Sequence, residues 1–476
     1  MSFLGIPIER DDVMLLYNPR IGRYVSCSKA GFHNPGEHLI KRLRSMGLWG
    51  AFLNLDALYP HRSRRVLFFP ESHSLWYPIP SIRTAGGYAY RTRRLTSAQV
   101  SLWRAFDGQQ TLGELSENEK VPLDEAKAFC AFLTRLDVQA LQFHTRSLPR
   151  QHPSLLQMLS DDRPAFGREE HMYDEQGGTD LRSFHANIER GEFHFDNVET
   201  SLAHCFAIPH PALSHETYGT RLYRSLEKEI PRSGLLIEIG AGTGELAQAW
   251  RSQNRSHRYV RIDASPELLA VQNRLLPETE GILADALALP FEDASTAVVL
   301  CNEVIADLEA IPRGKALRWI EDYDLSPLPE GSLYNVGAWK LLEEIERVLI
   351  SGGVAYLSEF GDIDEIPTET EQLNHPEVSI HFGQLYQVAT RLGLRARLIP
   401  VTQLLEFDMR SHWLSRHSYD ALRARMNGEG RHLQARAWTR KTLQLPWPVD
   451  GLDWVSVSEP GPGPLPQRFW ALILQK

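Results

Sequence analysis

A chain of 476 residues is long enough for two or three domains of ordinary size. Hydrophobic residues make up 42% of it and charged residues 23%, values typical of a globular protein with more than one core. No run of 18 apolar residues occurs, and the first 12 residues lack the basic and apolar regions of a signal peptide, so neither a transmembrane helix nor secretion is expected. Cys27, Cys130, Cys205 and Cys301 form no CxxC pair, which argues against a disulfide framework and a zinc site. We therefore expect a cytoplasmic protein with no bound metal and no contact with a membrane.

The net charge of −9 is unevenly distributed along the chain. Residues 1–150 hold 20 basic and 13 acidic side chains, whereas the remaining residues hold 31 basic and 47 acidic ones. A basic N-terminal third joined to an acidic remainder indicates an acidic or extended anionic partner for the front end. The alternative is a solvated surface that binds nothing.

Composition and patterning suggest three zones. Residues 1–148 form an N-terminal domain, and residues 149–232, which are polar at their start, are interpreted as a linker followed by a helical lid. Residues 233–476 form the third zone, in which strand and helix patterns alternate, with a helical insertion at about 404–445.

The alternation in the third zone predicts an α/β fold with a doubly wound, parallel sheet. Helices are predicted at 245–252, 266–276 and 381–392. The predicted strands are short apolar runs at 235–239, 259–262, 281–284, 297–301, 353–359, 395–399 and 469–474.

The sharpest motif is a glycine loop, with Gly240, Gly242 and Gly244 between the first predicted strand and the following helix. Glycine allows a sharp turn and a close approach of the backbone to a ligand. A dinucleotide fingerprint requires a small residue three positions after its second glycine, where the pyrophosphate meets the helix N-terminus. Glu245 stands there instead, and its carboxylate disfavours a pyrophosphate.

Two further carboxylates follow the next two predicted strands. Asp263 ends the second strand about 20 residues past the loop, the position from which an acid binds ribose hydroxyls. Asp285 ends the third strand, where it is placed to orient an adenine edge while Ala286 and Leu287 pack on the ring. Taken with Glu245, this ordered set predicts an S-adenosylmethionine site. Another kind of nucleoside-binding enzyme is the alternative.

These residues resemble the cofactor motifs of class I methyltransferases: Glu238–Gly244, Asp263, Asp285–Phe291 and the run Leu342–Gly353. The resemblance implies a Rossmann-like fold and S-adenosyl-L-methionine as the cofactor. It identifies these cofactor-binding residues: Tyr218, Glu238, Gly240, Ala241, Gly242, Gly244, Asp263, Ala264, Asp285, Ala286 and Asn302. For Tyr218, which is assigned to the methionine end, a place in the hydrophobic core is the alternative.

A narrower resemblance is to the MidA-like group, which includes an arginine methyltransferase of complex I assembly. The segments that carry it are 211–219, 265–272, 301–305 and 375–385, with Glu359-Phe-Gly361 upstream of the last. The chain departs from the group's pattern at residues 306–309, which read Ala-Asp-Leu-Glu, and at Ser379-Ile-His381. These departures bear on the identity of the substrate more than on cofactor use.

The N-terminal domain resembles a PqqD-type winged helix at about 85–146, through the segments 95–103, 106–108, 111–115 and 126–136. Such modules bind the leader peptides of ribosomally made precursors, which implies a peptide or protein substrate. Winged helices of the same pattern also bind DNA or form dimers, and a structural cap is a further alternative. Nucleic acid is the less favoured partner, and a homodimer stays open.

Methyl transfer is an in-line displacement that requires positioning and exclusion of water rather than a nucleophilic side chain. The principal catalytic candidate is Glu303, which follows the fourth strand at the carboxyl edge of the sheet. With Asp307 or Glu359 it would form a carboxylate clamp for a guanidinium. His381, and with it His375, is a candidate base or substrate contact. For Glu303 the alternative is a helix cap, and for the histidines it is a structural role.

Three classes of function follow. The first is methylation of a peptide or protein side chain, with arginine in a ribosomal-peptide precursor as the leading substrate. The second is O- or N-methylation of a small molecule, with the front end serving dimerisation. The third is a non-catalytic assembly factor, which the intact glycines and both adenosyl-binding acids argue against.

Overall fold

The structure is a computed structural model that describes residues 2–3, 6–10, 13–18, 23–28, 38, 41, 49–50, 55–63, 66–84, 87–134, 138, 140–144, 147, 201–372 and 375–476. For residues 2–27, 49–50, 79–89, 370–372 and 375–376 the description covers the backbone alone. The chain divides into two compact units. The first takes in residues 1–171, 420–429 and 444–453, and the second takes in residues 172–419, 430–443 and 454–476.

Among its described residues, the first unit combines short antiparallel strands with helices that include Ser97–Ala105, Leu112–Asn118 and Leu123–Leu133. Capping boxes begin the first two helices, with Thr96 and Thr111 each accepting from the backbone three residues on. Two 3-10 turns lie at Leu55–Ala57 and Pro70–Ser72. The strands are Ser2–Phe3, Ile6–Arg10, Val13–Asn18, Arg23–Ser28, Trp49–Gly50, Tyr59–Arg62, Leu67–Phe69, Ser74–Thr84, Gly87–Arg94 and Leu141–His144.

Apolar faces of the three helices close the core of this unit. Trp103, Leu115 and Phe129 are each at most 2% exposed and pack in one cluster with Phe68 and Phe143 from the strands. Where the winged helix was predicted, the three helices lie between the strands Gly87–Arg94 and Leu141–His144. The winged-helix interpretation itself stays a prediction.

The second unit is built on a sheet whose strand order is β3-β2-β1-β4-β5-β7-β6. The first five strands are parallel, and β7 runs antiparallel to both β5 and β6. The α/β fold class with a mostly parallel, doubly wound sheet is thus confirmed, and the reversed last strand is a detail that the sequence pattern did not predict. The strands are β1 Gly234–Ile239, β2 His257–Asp263, β3 Glu280–Leu283, β4 Thr296–Asn302, β5 Leu349–Asp362, β6 Arg395–Pro400 and β7 Phe469–Gln475.

Burial on both faces explains why the central strands read as unbroken apolar runs. Every residue of β4 is buried, as expected for a parallel strand covered by helices on either side. One face packs against a cluster that includes Trp339 and Leu385, and the other against a cluster that includes Leu222 and Trp250. The carboxyl ends of β1 to β5 stay open for a ligand, at the point where the strand order reverses between β1 and β4.

Seven helices of this unit bear on the argument. They are α1 Leu202–Cys205, α2 Tyr218–Leu226, α3 Glu245–Gln253, α4 Pro266–Leu275, α5 Arg313–Asp322, α6 Val336–Val348 and α7 Phe382–Arg391. Short elements complete it: the helix Val401–Leu404, the 3-10 turns Pro211–Leu213, Ile305–Asp307 and Pro466–Arg468, and the strands Ile311–Pro312, Leu333–Tyr334, Glu369–Gln372, His375–Val378, Ile380–His381, His412–Leu414 and Trp454–Ser456.

The segment 404–445, for which a helical insertion was predicted, contains one long helix and a short strand. Only Arg416–Gly428 is a long helix there, preceded by the short strand His412–Leu414. Gly430 turns the chain with a φ of +69°, which ends the helix, and residues 431–439 then run without regular structure. Across the part of the chain that the structure describes, no helix is both long enough and apolar enough to cross a membrane.

Two glycines at matched positions test the packing of the sheet's covering helices. Gly337 is the second residue of α6, and a Cβ there would overlap the backbone nitrogen of Glu309. Gly314 is the second residue of α5, where a Cβ meets nothing within 4 Å. We predict that Gly337→Ala lowers the free energy of unfolding by about 1–3 kcal/mol through overpacking, whereas Gly314→Ala raises it by up to about 1 kcal/mol through helix propensity. Denaturant titration of both variants checks this, and equal effects would contradict it.

Candidate functional site

The glycine loop after β1 has the backbone that its sequence requires. Gly240, Gly242 and Gly244 all have positive φ, at +65°, +53° and +96°. A Cβ at Gly240 would overlap the side chain of Val304, whereas at Gly242 it would face open space. The first glycine therefore allows a close approach between chain segments, and the second exposes the backbone of the loop to a ligand.

A cavity of about 670 Å³ opens at the carboxyl edge of the sheet, over this loop. Twelve of the predicted site residues line it: Glu238, Gly240, Ala241, Gly242, Asp263, Ala264, Asp285, Ala286, Asn302, Glu303, Asp307 and Glu359. Three predicted residues, Tyr218, Gly244 and His381, do not line it. The twelve lining residues come from the ends of five different strands and from the loops that follow them. The topology of the sheet therefore brings them together.

The adenosyl-side carboxylates are held in place by local hydrogen bonds. Asp263 accepts from the backbone N–H of Ser265 at 2.9 Å and from Nε2 of Gln272 at 2.8 Å. The same Gln272 amide donates to the carbonyl of Gly242 at 2.9 Å, so it ties α4 to the glycine loop as well. Asp285 accepts from the N–H of Leu287 at 2.9 Å. Both carboxylates are thereby oriented before any ligand arrives.

Glu238, the last acid before the glycines, is buried at the base of the cavity with 2% exposure. Burial raises the pKa of its carboxyl to about 7, although the hydroxyl of Tyr259 donates to it at 2.9 Å and opposes the rise. A cation placed above it would favour the charged form.

Asn302 ends β4 at the centre of a buried network. Its Oδ1 accepts from the hydroxyls of Tyr218 at 2.6 Å and Ser358 at 3.0 Å. Its Nδ2 consequently points the other way and donates to Oε1 of Glu303 at 3.0 Å. Tyr218 also shares a hydrogen bond with the hydroxyl of Tyr356 at 2.8 Å and has no exposed surface. Tyr218 thus supports Asn302 from beneath and does not line the cavity.

Glu303 adopts a left-handed backbone with φ of +56°, which is uncommon for a residue with a side chain. Its backbone N–H donates to the carbonyl of Ser358 at 2.8 Å, and its Oε1 accepts from the backbone N–H of Leu202 at 2.8 Å. The capping alternative is therefore present, although the helix that Glu303 caps is the distant α1 and not the next one along the chain. The lining of the cavity also includes Glu303, so it has a place in both.

Three other acids come from elements next to the end of β4. Glu359, on β5 and 3% exposed, accepts from the backbone N–H groups of Ala306 at 3.2 Å and Phe360 at 3.0 Å. Asp307 ends the 3-10 turn after β4. The strand that carries Glu377 packs against that turn, and Glu377 lines the cavity too. The carboxylates at this end thus come from adjacent elements.

His381 is positioned as a helix cap. Its Nδ1 accepts from the backbone N–H of Gln384 at 3.3 Å at the start of α7, and burial lowers the pKa of its imidazole. This arrangement supports the structural alternative, since His381 is absent from the cavity lining. The side chain of His375 lies outside the described residues.

Sequence reasoning missed the wall contributed by α1 and by the chain's last strand. Ser201 and His204, with Pro464 and Phe469, line the cavity but were not predicted. Glu245, considered only as a bar to pyrophosphate, also lines it. Ser201 precedes a short apolar helix as an N-cap, and that is the one local signal that marked this segment. Over the described residues no cluster of three His, Cys, Asp or Glu side chains could hold a metal ion.

Residues 237–321 match a family model described as a methyltransferase domain. This match covers the glycine loop, both adenosyl-side acids and Glu303. Residues 237–321 are therefore similar to methyltransferase domains. S-adenosylmethionine is the methyl donor of such domains, and the residues present fit it, because the loop backbone is open at Gly242 and oriented carboxylates follow β2 and β3.

A curated relative, an uncharacterised methyltransferase-like protein of Schizosaccharomyces pombe, is 30% identical over 74 residues. The chain spans 28% of that relative's length, and the match covers 16% of this chain.

Solved methyltransferase structures are similar over parts of the chain. A putative S-adenosyl-L-methionine-dependent methyltransferase of Methanococcus maripaludis is 18% identical, with a TM-score of 0.20, over 29% of this chain and 54% of that one. A TehB-like methyltransferase of Corynebacterium glutamicum is 13% identical, with a TM-score of 0.29, over 56% of this chain and 91% of that one. A phosphoethanolamine N-methyltransferase of Haemonchus contortus, solved with S-adenosyl-L-methionine, is 16% identical, with a TM-score of 0.27, over 39% of each chain.

Burial of Glu238 makes the stability of the protein depend on pH. The folded-state pKa of Glu238, about 7, lies above its ordinary value of 4.5, so the folded protein holds a proton that the unfolded chain releases. This contribution to stability is complete below pH 4.5 and is lost as the pH rises through 7. We predict that wild type loses about 2.5 kcal/mol relative to Glu238→Gln between pH 5 and pH 8. Denaturant titrations at the two pH values measure this difference, and parallel pH profiles would refute it.

Proposed function

We propose that this protein is an S-adenosylmethionine-dependent methyltransferase whose acceptor is a cationic nitrogen, the guanidinium of an arginine in a peptide or protein. One observation carries the proposal. Among the described residues that line the cavity, eight are acids and none is lysine or arginine. A cavity of that composition favours cations, which include both the sulfonium of the donor and a guanidinium.

The position of the acids supports a division of the cavity into two ends. Asp263 and Asp285 follow β2 and β3 and are assigned to the adenosyl group. Glu303 and Asp307 follow β4, Glu359 lies on β5, and all three are assigned to the acceptor. A guanidinium stays charged in proteins, and its planar donors match carboxylates bidentately, so acids on this edge would orient it and localise its charge away from the attacking nitrogen.

The residues of the chain would supply orientation, charge and exclusion of water. Glu303 is held by Asn302 and by the N–H of Leu202, which leaves its carboxylate preorganised for the charge that shifts from the sulfonium to the acceptor. The apolar side chains of Val304, Leu308 and Phe469 line the cavity and would exclude water from it.

The finer assignments are part of this proposal. They comprise membership of the MidA-like group, a linker and lid at 149–232, and an N-terminal domain at 1–148 that recognises a precursor-peptide leader. The resemblance of residues 265–272 to the MidA-like group gains support from Gln272, whose amide bridges Asp263 and the glycine loop. Support for a recognition role of the front end comes from its excess of basic over acidic residues.

The acceptor class is tested by intact-mass measurement after incubation with S-adenosylmethionine. An arginine-containing peptide, the same peptide with lysine in place of arginine, and free arginine are compared. We expect a gain of one or more methylene masses on the arginine peptide and little on the other two. Equal turnover of free arginine would instead favour a small-molecule methyltransferase.

Glu303→Gln separates catalysis from capping. Glutamine retains an oxygen that accepts from Leu202 but loses the charge, so we predict a fall in single-turnover rate of about 100-fold. The affinity for S-adenosylhomocysteine, measured by calorimetry, should stay unchanged, because the residues assigned to the adenosyl group lie at the other end of the cavity.

Glu309→Gln is the matched control. Glu309 lies six residues further on, pairs with Lys340 at 2.6 Å and does not line the cavity. We expect it to lower stability by less than about 1 kcal/mol and to leave the rate unchanged. A Glu303→Gln enzyme as fast as this control would remove Glu303 from the reaction.

A further inference from the structure

His204 is a buried ring in the cavity wall that the mechanism above does not use. It lies on α1, its side chain is 1% exposed, and it lines the cavity. Its Nε2 has no hydrogen-bond partner among the described residues. Leaving a buried polar nitrogen unsatisfied is costly, so it points to a partner supplied from the cavity.

The other ring nitrogen of His204 is firmly held. Nδ1 lies 3.0 Å from Oε1 of Glu245, the first residue of α3. The second oxygen of Glu245 accepts from the hydroxyl of Thr243 at 2.5 Å, and Arg436 lies 3.8 Å from the first. Burial by itself raises the pKa of the Glu245 carboxyl, but the hydrogen bonds from His204 and Thr243 outweigh it and lower that pKa.

The charged carboxylate of Glu245 beside Nδ1 determines which tautomer the His204 imidazole adopts. It keeps the proton on Nδ1 and leaves the lone pair of the neutral imidazole on Nε2. It also stabilises the imidazolium that forms when Nε2 takes a proton. The pair is therefore built to accept a proton at Nε2.

The helix that carries His204 also contacts the acceptor-side acid. The N–H of Leu202, two residues before His204, donates to Oε1 of Glu303 at 2.8 Å, and Ser201 and Ala203 line the same cavity. The segment 201–204 thus places the His204 ring at the cavity. It contacts Glu245 at the start of α3 through His204, and Glu303 through the N–H of Leu202.

We propose that His204, positioned by Glu245, is the proton acceptor of the methyl transfer, an inference that rests on the function proposed above. The acceptor nitrogen forms its bond to the methyl carbon while the carbon–sulfur bond breaks and sulfur keeps the electron pair. The nitrogen's N–H bond then releases its proton to Nε2 of His204, and the bonding electrons stay on nitrogen. A guanidinium ends as a methylguanidinium of unchanged charge, and the sulfonium charge leaves as the proton on His204.

The test compares His204→Gln and His204→Ala with wild type. We expect the single-turnover rate at saturating donor to fall about 100-fold or more in both, while calorimetry gives an unchanged affinity for S-adenosylhomocysteine. Added imidazole should restore part of the rate of His204→Ala, because it fits the space left by the ring, and should leave His204→Gln unaffected.

Glu245 acts by orienting the imidazole of His204, so its variants are expected to change the rate through the position of that ring. Glu245→Gln should slow the same step, and Glu245→Asp should recover part of the rate. The thermal midpoint of each variant, recorded beside the rate, separates loss of fold from loss of chemistry.

His210→Gln is the matched control. His210 is fully buried in the same segment, accepts from the N–H of Ala212 at 3.0 Å and does not line the cavity. It should lower the thermal midpoint, leave the rate per folded enzyme unchanged and gain nothing from imidazole.

Three outcomes overturn the inference. If His204→Gln weakens S-adenosylhomocysteine binding and leaves the saturated rate unchanged, His204 holds the donor rather than the proton. If wild type methylates the arginine peptide and both His204 variants match its rate, the base lies elsewhere and the proposed function stands. A wild-type enzyme that binds S-adenosylhomocysteine but methylates no arginine peptide overturns the proposed function and this inference together.

Discussion

Oε1 of Glu303 accepts hydrogen bonds from the Asn302 amide and from the backbone N–H of Leu202, 101 residues earlier in the chain. Through this one oxygen, the end of the central strand β4 holds the short helix α1 against the cavity. A four-residue helix has no stability of its own, so its position depends on such contacts. Because α1 carries His204 to Glu245, the geometry of the cavity wall follows from the same interaction.

Gathering eight acids around one cavity has an electrostatic cost that the fold meets in different ways. Glu359 is stabilised by two backbone N–H groups, and Asp263 by a backbone N–H and the Gln272 amide. Glu238 accepts from the hydroxyl of Tyr259, but burial outweighs that hydrogen bond and raises the pKa of its carboxyl. What the protein groups do not offset remains as a field that favours positively charged ligands.

The polar layer beneath the cavity links folding to orientation. Tyr218 and Ser358 both donate to Asn302, so the amide has a single orientation in which its Nδ2 faces Glu303. Tyr218 and Ser358 are fully buried and hydrogen-bonded. They therefore belong to the core and also support the site. A side chain that never meets a ligand can in this way set the direction of one that does.

The sequence by itself determined the βαβ order, the glycine loop and the carboxylates at the strand ends. Each of these is a local pattern: apolar runs of strand length, glycines where the backbone needs positive φ, and acids at the residue where a parallel strand ends. Only the tertiary structure decided that β7 inserts antiparallel between β5 and β6, since that pairing joins segments far apart in the chain. It also decided that Tyr218 lies beneath the cavity, that His381 caps α7, and that His204 meets Glu245 across 41 residues. Contacts between distant segments leave no periodic pattern in the sequence, because each of the two residues, taken alone, looks like any other buried residue.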